Sequence, residues 1–292
     1  ISTTQSSAIA TDNQTVVVAT VTLLETNSCS AGNISGTIKD AVSGSEISGV
    51  SISIRSGAHV TSGSTISGKT ATTANNGTYT VSGVYAGGYT VQTSKSGYIT
   101  STFNVYACGD QSGQNTSIST TLDTGAMRIV LHWDNLTNNV VSILDSHLTG
   151  PDNASGRFHI YWPNGKREFS YYSNDQTCSG FTAIQKSDNV SLDKDDYNGA
   201  PGTETITIPS GSWRSGTYRY SAHDYTNRAS TSTTKFSISG TTVKVYYNDT
   251  ETTYNVPNSA GNLWTVFTID GSSKVVTTVN GMSFQSNSAN IQ

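Results

Sequence analysis

Thr70–Val81, TATTANNGTYTV, decides how the fold is read. Its Thr, Tyr and Val residues favour a pleated strand. Asn76-Gly77 is a hairpin turn signal, because a type I′ turn needs positive φ at both central positions. Working outward, similar short runs recur at even spacing between Gly, Asn and Ser turns: Gly36–Asp40, Val50–Arg55, Gly68–Thr73, Tyr79–Val81, Tyr89–Ser94, Ser101–Tyr106 and Ser117–Leu122. No helical 3.6-residue apolar period runs through this block, so it reads as a β-sandwich. After the linker Asp123–Ala126 a second series begins. It comprises Met127–Trp133, Ser142–Leu148, Arg157–Trp162, Phe181–Ile184, Thr203–Ile208, Thr217–His223, Thr234–Ile238, Thr242–Tyr247, Thr252–Val256, Leu263–Ile269 and Lys274–Val279. The expected fold is all-β: an N-terminal extension over 1–28, a first sandwich over 29–123 and a larger, Ig-like sandwich over 124–292.

Composition narrows the function. The 292 residues carry a formal charge of −4, and only 12% are charged, against roughly 25% in ordinary soluble domains. A slightly acidic chain argues against nucleic acid or an anionic membrane as partner. Ser and Thr make up 88 of the residues. A surface solubilised by hydroxyls suits a secreted β protein, or one packed against its own copies. No apolar run reaches the roughly 20 residues of a membrane span. The chain begins at Ile1 and reads as a mature product. Eight Asn-x-Ser/Thr sequons, at Asn13, Asn33, Asn76, Asn115, Asn135, Asn153, Asn189 and Asn248, permit glycosylation in a secreted setting; this Asn, Ser and Thr content produces about as many by chance.

The first block resembles the carboxypeptidase regulatory-like domain, a small transthyretin-like sandwich. The residues that carry the resemblance are Gly36-Thr-Ile-Lys-Asp40, Ile47-Ser-Gly-Val-Ser-Ile52, Thr70–Val81, Gly87-Gly-Tyr-Thr-Val91 and Ser96-Gly-Tyr98. The resemblance implies a non-catalytic accessory or adhesive module in a secreted setting. Related Gram-positive pilin domains form a Lys–Asn isopeptide bond; Lys39 is a conceivable donor without a convincing partner set. Residues 126–285 are similar to a family of secreted bacterial β-sandwich domains of unknown function. That similarity rests on Trp133, Leu144-Asp-Ser-His-Leu-Thr-Gly-Pro151, Phe158-His-Ile-Tyr161, Leu192-Asp-Lys-Asp-Asp196, Thr203-Glu-Thr-Ile206 and Tyr218-Arg-Tyr220.

Chemistry concentrates in three patches: Leu192–Ile208, Leu144–Gly150 and Tyr220–Asn227. The first sets Asp193, Asp195 and Glu204 around Gly199, Pro201 and Gly202, oxygen-rich chemistry that suits Ca²⁺, with Asp145 as a further oxygen. Lys194 between the acids weakens such a site, and a solvated acidic loop is the plainer reading. Asp145 and His147 share one strand face, and His159 and His223 on other strands could join them around zinc. Hydrogen-bonded structural histidines are the alternative. No Gly-x-Ser-x-Gly and no activated Cys occurs. Glu168, Glu204, Asp224 and Asp270 show no facing pair of the kind a glycosidase needs, so the chain reads as non-enzymatic. Tyr161, Trp162, Tyr171 and Tyr172 could stack on a sugar or fill a core.

Cys29 and Cys108 bracket the first block, which points to a disulfide between them. Other pairings, or three buried thiols, stay open, and Cys178 is left free or pairs between chains. Thr15–Leu24 is strongly β-prone through Val16, Val17, Val18, Val21, Leu23 and Leu24, yet no turn joins it to a next strand. It reads as a donor strand that completes a neighbouring copy by β-augmentation, or else as the first strand of its own sandwich. The expected function is an extracellular filament subunit with other copies of itself as partners. The alternative is a carbohydrate-binding or accessory module facing surface glycans.

Overall fold

The computed structural model describes residues 29–134, 141–176 and 178–292. The candidate donor strand and the sequons at Asn13 and Asn135 lie outside the described residues.

The first sandwich is built from β1 (Gly32–Asp40), β2 (Ser51–Ser56), β3 (Thr70–Thr72), β4 (Thr78–Val84), β5 (Gly87–Ser94), β6 (Ser101–Ala107) and β7 (Thr116–Ile118). One sheet runs β4-β1-β7 and the other β3-β2-β5-β6. Period-2 patterning sets the inner faces: Ile34 and Ile38 of β1, Ile52 and Ile54 of β2, and Tyr79 and Val81 of β4 are buried together. Cys29 is bonded to Cys108, with Cα atoms 4.9 Å apart, which ties the entry of β1 to the exit of β6. The Asn76-Gly77 signal does not make a hairpin. β3 pairs with β2 and β4 with β1, so the turn carries the chain from one sheet to the other. Only Gly77 has positive φ, at 71°. A Cβ there would lie 2.8 Å from the Ile38 carbonyl oxygen, so close approach as well as conformation calls for glycine. The type I′ geometry appears instead at Asn248 and Asp249, with φ of 49° and 58°, joining two strands of the second sandwich.

That sandwich comprises β8 (Met127–Trp133), β9 (Leu144–Pro151), β10 (Arg157–Ile160), β11 (Glu168–Phe169), β12 (Val190–Lys194), β13 (Gly202–Ile208), β14 (Thr217–Asp224), β15 (Thr242–Tyr247), β16 (Thr250–Asn255), β17 (Leu263–Asp270) and β18 (Val276–Ser283). Its sheets run β10-β9-β14-β17-β18 and β11-β12-β13-β8-β15-β16. Trp133, Leu148, Tyr218, Tyr220, Phe236, Trp264 and Phe267 fill the core between them. Three expectations fail here. Residues 181–184 form no strand and lead into a turn, with Ile184 exposed. Phe236–Ile238 is a single 3-10 turn. Leu192-Asp-Lys is not loop but β12, because Val190 and Leu192 alternate into the core and its polar residues face outward.

The first sandwich packs on the outer face of the six-stranded sheet. Ala41 and Ile99 bury against Val130 and Tyr246. Lys244, almost fully buried, donates to Ser101 Oγ at 2.6 Å and to the Thr102 carbonyl at 2.9 Å. It is also 3.4 Å from Glu251, which accepts from the Thr102 amide. Arg128 donates to Ser119 and Thr120.

Two outcomes follow. Replacing Cys29 and Cys108 by Ser should lower unfolding free energy by about 2–5 kcal/mol, read from denaturant melts; a curve superposing on that of the oxidised protein contradicts the role given to the bond. Lys244→Met should cost about 3–5 kcal/mol because it strands the Glu251 charge at the domain interface. The double variant with Glu251→Gln should recover much of that loss; a double variant no better than Lys244→Met would contradict it.

Candidate functional site

The three sequence patches meet on one side of the second sandwich. β9 and β14 are antiparallel neighbours, with Asp145 directly opposite His223 and His147 opposite Ser221. Cross-strand partners lie within side-chain reach, so Asp145, His147 and His223 share the outer face of the five-stranded sheet. Their exposures are 3%, 1% and 0%. β10 adds His159, whose Nε2 is 2.8 Å from His147 Nδ1, and Tyr161 stacks on His159 with ring centroids 4.1 Å apart. The segment after β18 covers this face: Gln285 and Ser288 contact the two ring nitrogens of His223. Sequence reading had no signal for this cover, since residues 285–292 are mostly polar, with only Ala289 and Ile291 apolar, and carry no motif.

Glu204 approaches from the opposite sheet. On β13 it alternates with Ile206 and Ile208 and so points inward, fully buried, where Oε2 accepts from the Ser146 amide at 2.5 Å. Burial and the neighbouring Asp145 and Asp195 carboxylates hold the Glu204 carboxyl well above the usual range. Asp145 is pushed up to about 7, first by burial and then by Asp195. Burial, with His159 and His223 close by, keeps His147 neutral far below the ordinary imidazole range. His159 falls to about 4, again chiefly through burial.

Of the residues expected to hold calcium, Asp145, Asp195 and Glu204 assemble and Asp193 does not. Asp193 follows the core residue Leu192 and so faces outward, where it accepts from Ser191 and Thr207 at 2.5 Å each; the register shift between Leu192 and Lys194 then changes the phase of the residues that follow. Asp195 is in an ion pair with Arg167. Calcium takes six to eight oxygens; here carboxylates are few and imidazoles stand beside them. Lys194 pairs with Asp196 at 2.8 Å. Lys39 is engaged in an ion pair with Glu46.

A groove opens beside these acids. Ile143, Asp145, Trp162, Asp195, Tyr197 and Tyr225 line a cavity of about 120 Å³. Trp162 and Tyr225 also border a second hollow of about 330 Å³ with Tyr161, Arg228 and Asn287. Arg228 lies 3.8 Å from the Tyr225 ring centroid, a cation–π contact. Of the four aromatics expected as a platform, Tyr161 and Trp162 line the hollow. Tyr171 is buried and bonded to Tyr218 at 2.9 Å, while Tyr172 lies against Phe181 elsewhere. Among the described sequons, Asn76, Asn153 and Asn248 are exposed, Asn33 and Asn115 half-buried, and Asn189 buried with its amide on Glu168. Cys178 is a buried thiol pushed up to about 11 by burial, an unreactive setting.

The carboxyl pair gives a sign-determined prediction. A buried acid whose folded pKa is raised costs nothing below its unfolded pKa, and its penalty grows as pH rises through the folded value. Glu204→Gln keeps an acceptor for Ser146 and removes one acid. In chelator-treated protein, its melting temperature should therefore fall less than the wild type's between about pH 5 and about pH 8. Parallel curves for the two proteins contradict this assignment.

Comparison with known proteins places part of the chain. Residues 33–123 match the carboxypeptidase regulatory-like domain family. No curated protein matches the chain. Among solved structures, it is similar to the full-length major pilin SpaD from Corynebacterium diphtheriae, at 11% identity, over 77% of this chain and 64% of that one, with a TM-score of 0.26. It is also similar to the major pilin subunit BcpA of Bacillus cereus, at 11% identity over 77% and 67% of the two chains, TM-score 0.27. A candidate carbohydrate-binding protein from Pseudomonas aeruginosa matches at 15% identity over 32% and 92%, TM-score 0.22. TM-scores this low carry no argument about function. What is identified is the first sandwich, residues 33–123, as a carboxypeptidase regulatory-like domain.

Proposed function

We propose that the chain is an extracellular structural protein, a subunit of a surface filament whose copies join by β-augmentation. The observation that carries this reading is β18. At eight residues it is the longest edge strand among the described residues. It carries no charge and no proline, two of the devices that keep an edge from pairing, though it does carry a bulge. A register shift opposite Val266 kinks it. Its far side leaves backbone donors and acceptors for another strand, and Val275, Val279 and Phe284 stand exposed along it. By contrast, β10 and β11 at the opposite side of the sandwich have four and two residues. Thr15–Leu24 of a neighbouring copy supplies a strand of the right length and composition. Because donor and acceptor differ, the contact is heterologous and propagates. The disulfide fits an oxidising, extracellular setting, and a surface low in charge allows copies to pack.

A second reading rests on the hollow bordered by Tyr161, Trp162 and Tyr225, whose rings and Arg228 could hold a glycan. Saturable glycan-array binding that Trp162→Ala removes would favour it over the filament.

Deleting Ile1–Leu24, or changing Val279→Lys on the edge, should leave a folded monomer that no longer assembles. A peptide spanning Thr15–Leu24 should cap the wild-type edge and block growth. Filaments that still form from the truncated protein contradict the reading.

A further inference from the structure

We propose that Asp145, His147 and His223 form a binding site for a divalent ion of the zinc class, reached through the cavity that Asp145 lines. One ligand atom from each of the three lies within 4.8 Å of the other two. All three side chains are more than nine-tenths buried. Asp145 Oδ2 and His147 Nε2 nevertheless have no hydrogen-bond partner. Buried polar atoms without partners are rare in folded proteins, because each forfeits its hydration. Two in one group, on side chains that ligate metals, point to a cation site.

The hydrogen bonds that do exist select the protonation a metal needs. The Gln285 carbonyl can only accept, so His223 Nε2–H donates to it at 2.8 Å and Nδ1 is the acceptor nitrogen; the Ser288 hydroxyl lies 3.3 Å from that Nδ1 and must turn aside for an ion to bind there. Of His147 and His159, one nitrogen of the 2.8 Å contact carries the proton. If His147 donates from Nδ1, its Nε2 presents a lone pair to the cluster. The opposite tautomer would bury an Nε2–H with nothing to receive it. Both histidines thus have a second partner that fixes the ring, which is how metal-bound imidazoles are held. Two imidazoles and a carboxylate are a zinc-type donor set, and three protein ligands leave a fourth position open. Asp145 borders the 120 Å³ cavity, which gives an ion and its water a way in. Calcium is disfavoured by the same donors, since it takes oxygen ligands in greater number.

The experiment uses the full chain, stripped with chelator, in equilibrium dialysis against Zn²⁺, with Co²⁺ substitution followed by absorption. The expected result is one zinc per chain, a raised melting temperature with zinc, no comparable rise with millimolar Ca²⁺, and Co²⁺ bands of a low-coordinate nitrogen-ligated site. His147→Gln and Asp145→Asn should each abolish stoichiometric binding. His159→Gln, which touches the site only through His147, should weaken it about 10–100-fold, and the exposed His59→Ala should change nothing. A folded wild-type chain that takes up no zinc overturns the proposal. So does zinc binding that survives in the folded Asp145→Asn/His147→Gln double variant. Should those variants not fold, the wild-type stoichiometry and cobalt spectrum still decide it.

Discussion

The register of β13 against β8 is the constraint on which the rest of the molecule depends. Glu204 opposes Leu131, Ile206 opposes Ile129 and Ile208 opposes Met127, so these residues line the core. The alternate set faces the first sandwich: Thr203 meets Ser117, and the Thr205 hydroxyl donates to the Ala41 carbonyl. Thr207 binds Asp193 and Arg128. A slip of one residue would exchange the two sets. It would put hydroxyls into the core, take the interface from the first sandwich and withdraw Glu204 from Ser146. One seven-residue strand therefore fixes the core, the domain junction and one wall of the site together.

That site stores polarity where a sandwich normally places apolar side chains. Burial and mutual repulsion keep the Asp145 and Glu204 carboxyls protonated to unusually high pH, and burial keeps the histidines neutral. Such an arrangement is tolerable when each group has a partner and costly when it does not. The aromatic groove beside it, the covering segment after β18 and the open edge of β18 all belong to the second sandwich. The first supplies a rigid base docked on the opposite sheet.

Much of the fold was legible in the sequence because period-2 burial is a local signal. Met127–Trp133 and Thr242–Tyr247 were read with the bounds they have. Asn76-Gly77 misled because a turn signal says that the chain reverses, not which sheet it reverses into; that is settled by Tyr79 and Val81 packing beside Ile38. Thr234–Ile238 looked like a strand from its β-prone residues, but Phe236 alone is drawn into the core and the backbone closes into a turn around it. At the site, Asp145 and His147 were recognisable as sharing a face, and the polar patch at Tyr220–Asn227 was visible. Their convergence depends on β14 lying beside β9, a non-local pairing that no spacing in the chain encodes. Asp193 was grouped with Asp195 and Glu204 because all three are acids of one short stretch; the register shift after Leu192, which sequence does not show, separates Asp193 from them.

The central claim is that copies of this chain join strand to edge. Electron cryomicroscopy of the assembled material tests it most directly. The account predicts filaments in which a strand from the neighbouring copy lies hydrogen-bonded along Val276–Ser283, its sequence traceable to Thr15–Leu24. Filaments whose subunits leave that edge bare, with Thr15–Leu24 paired inside its own chain, would contradict it.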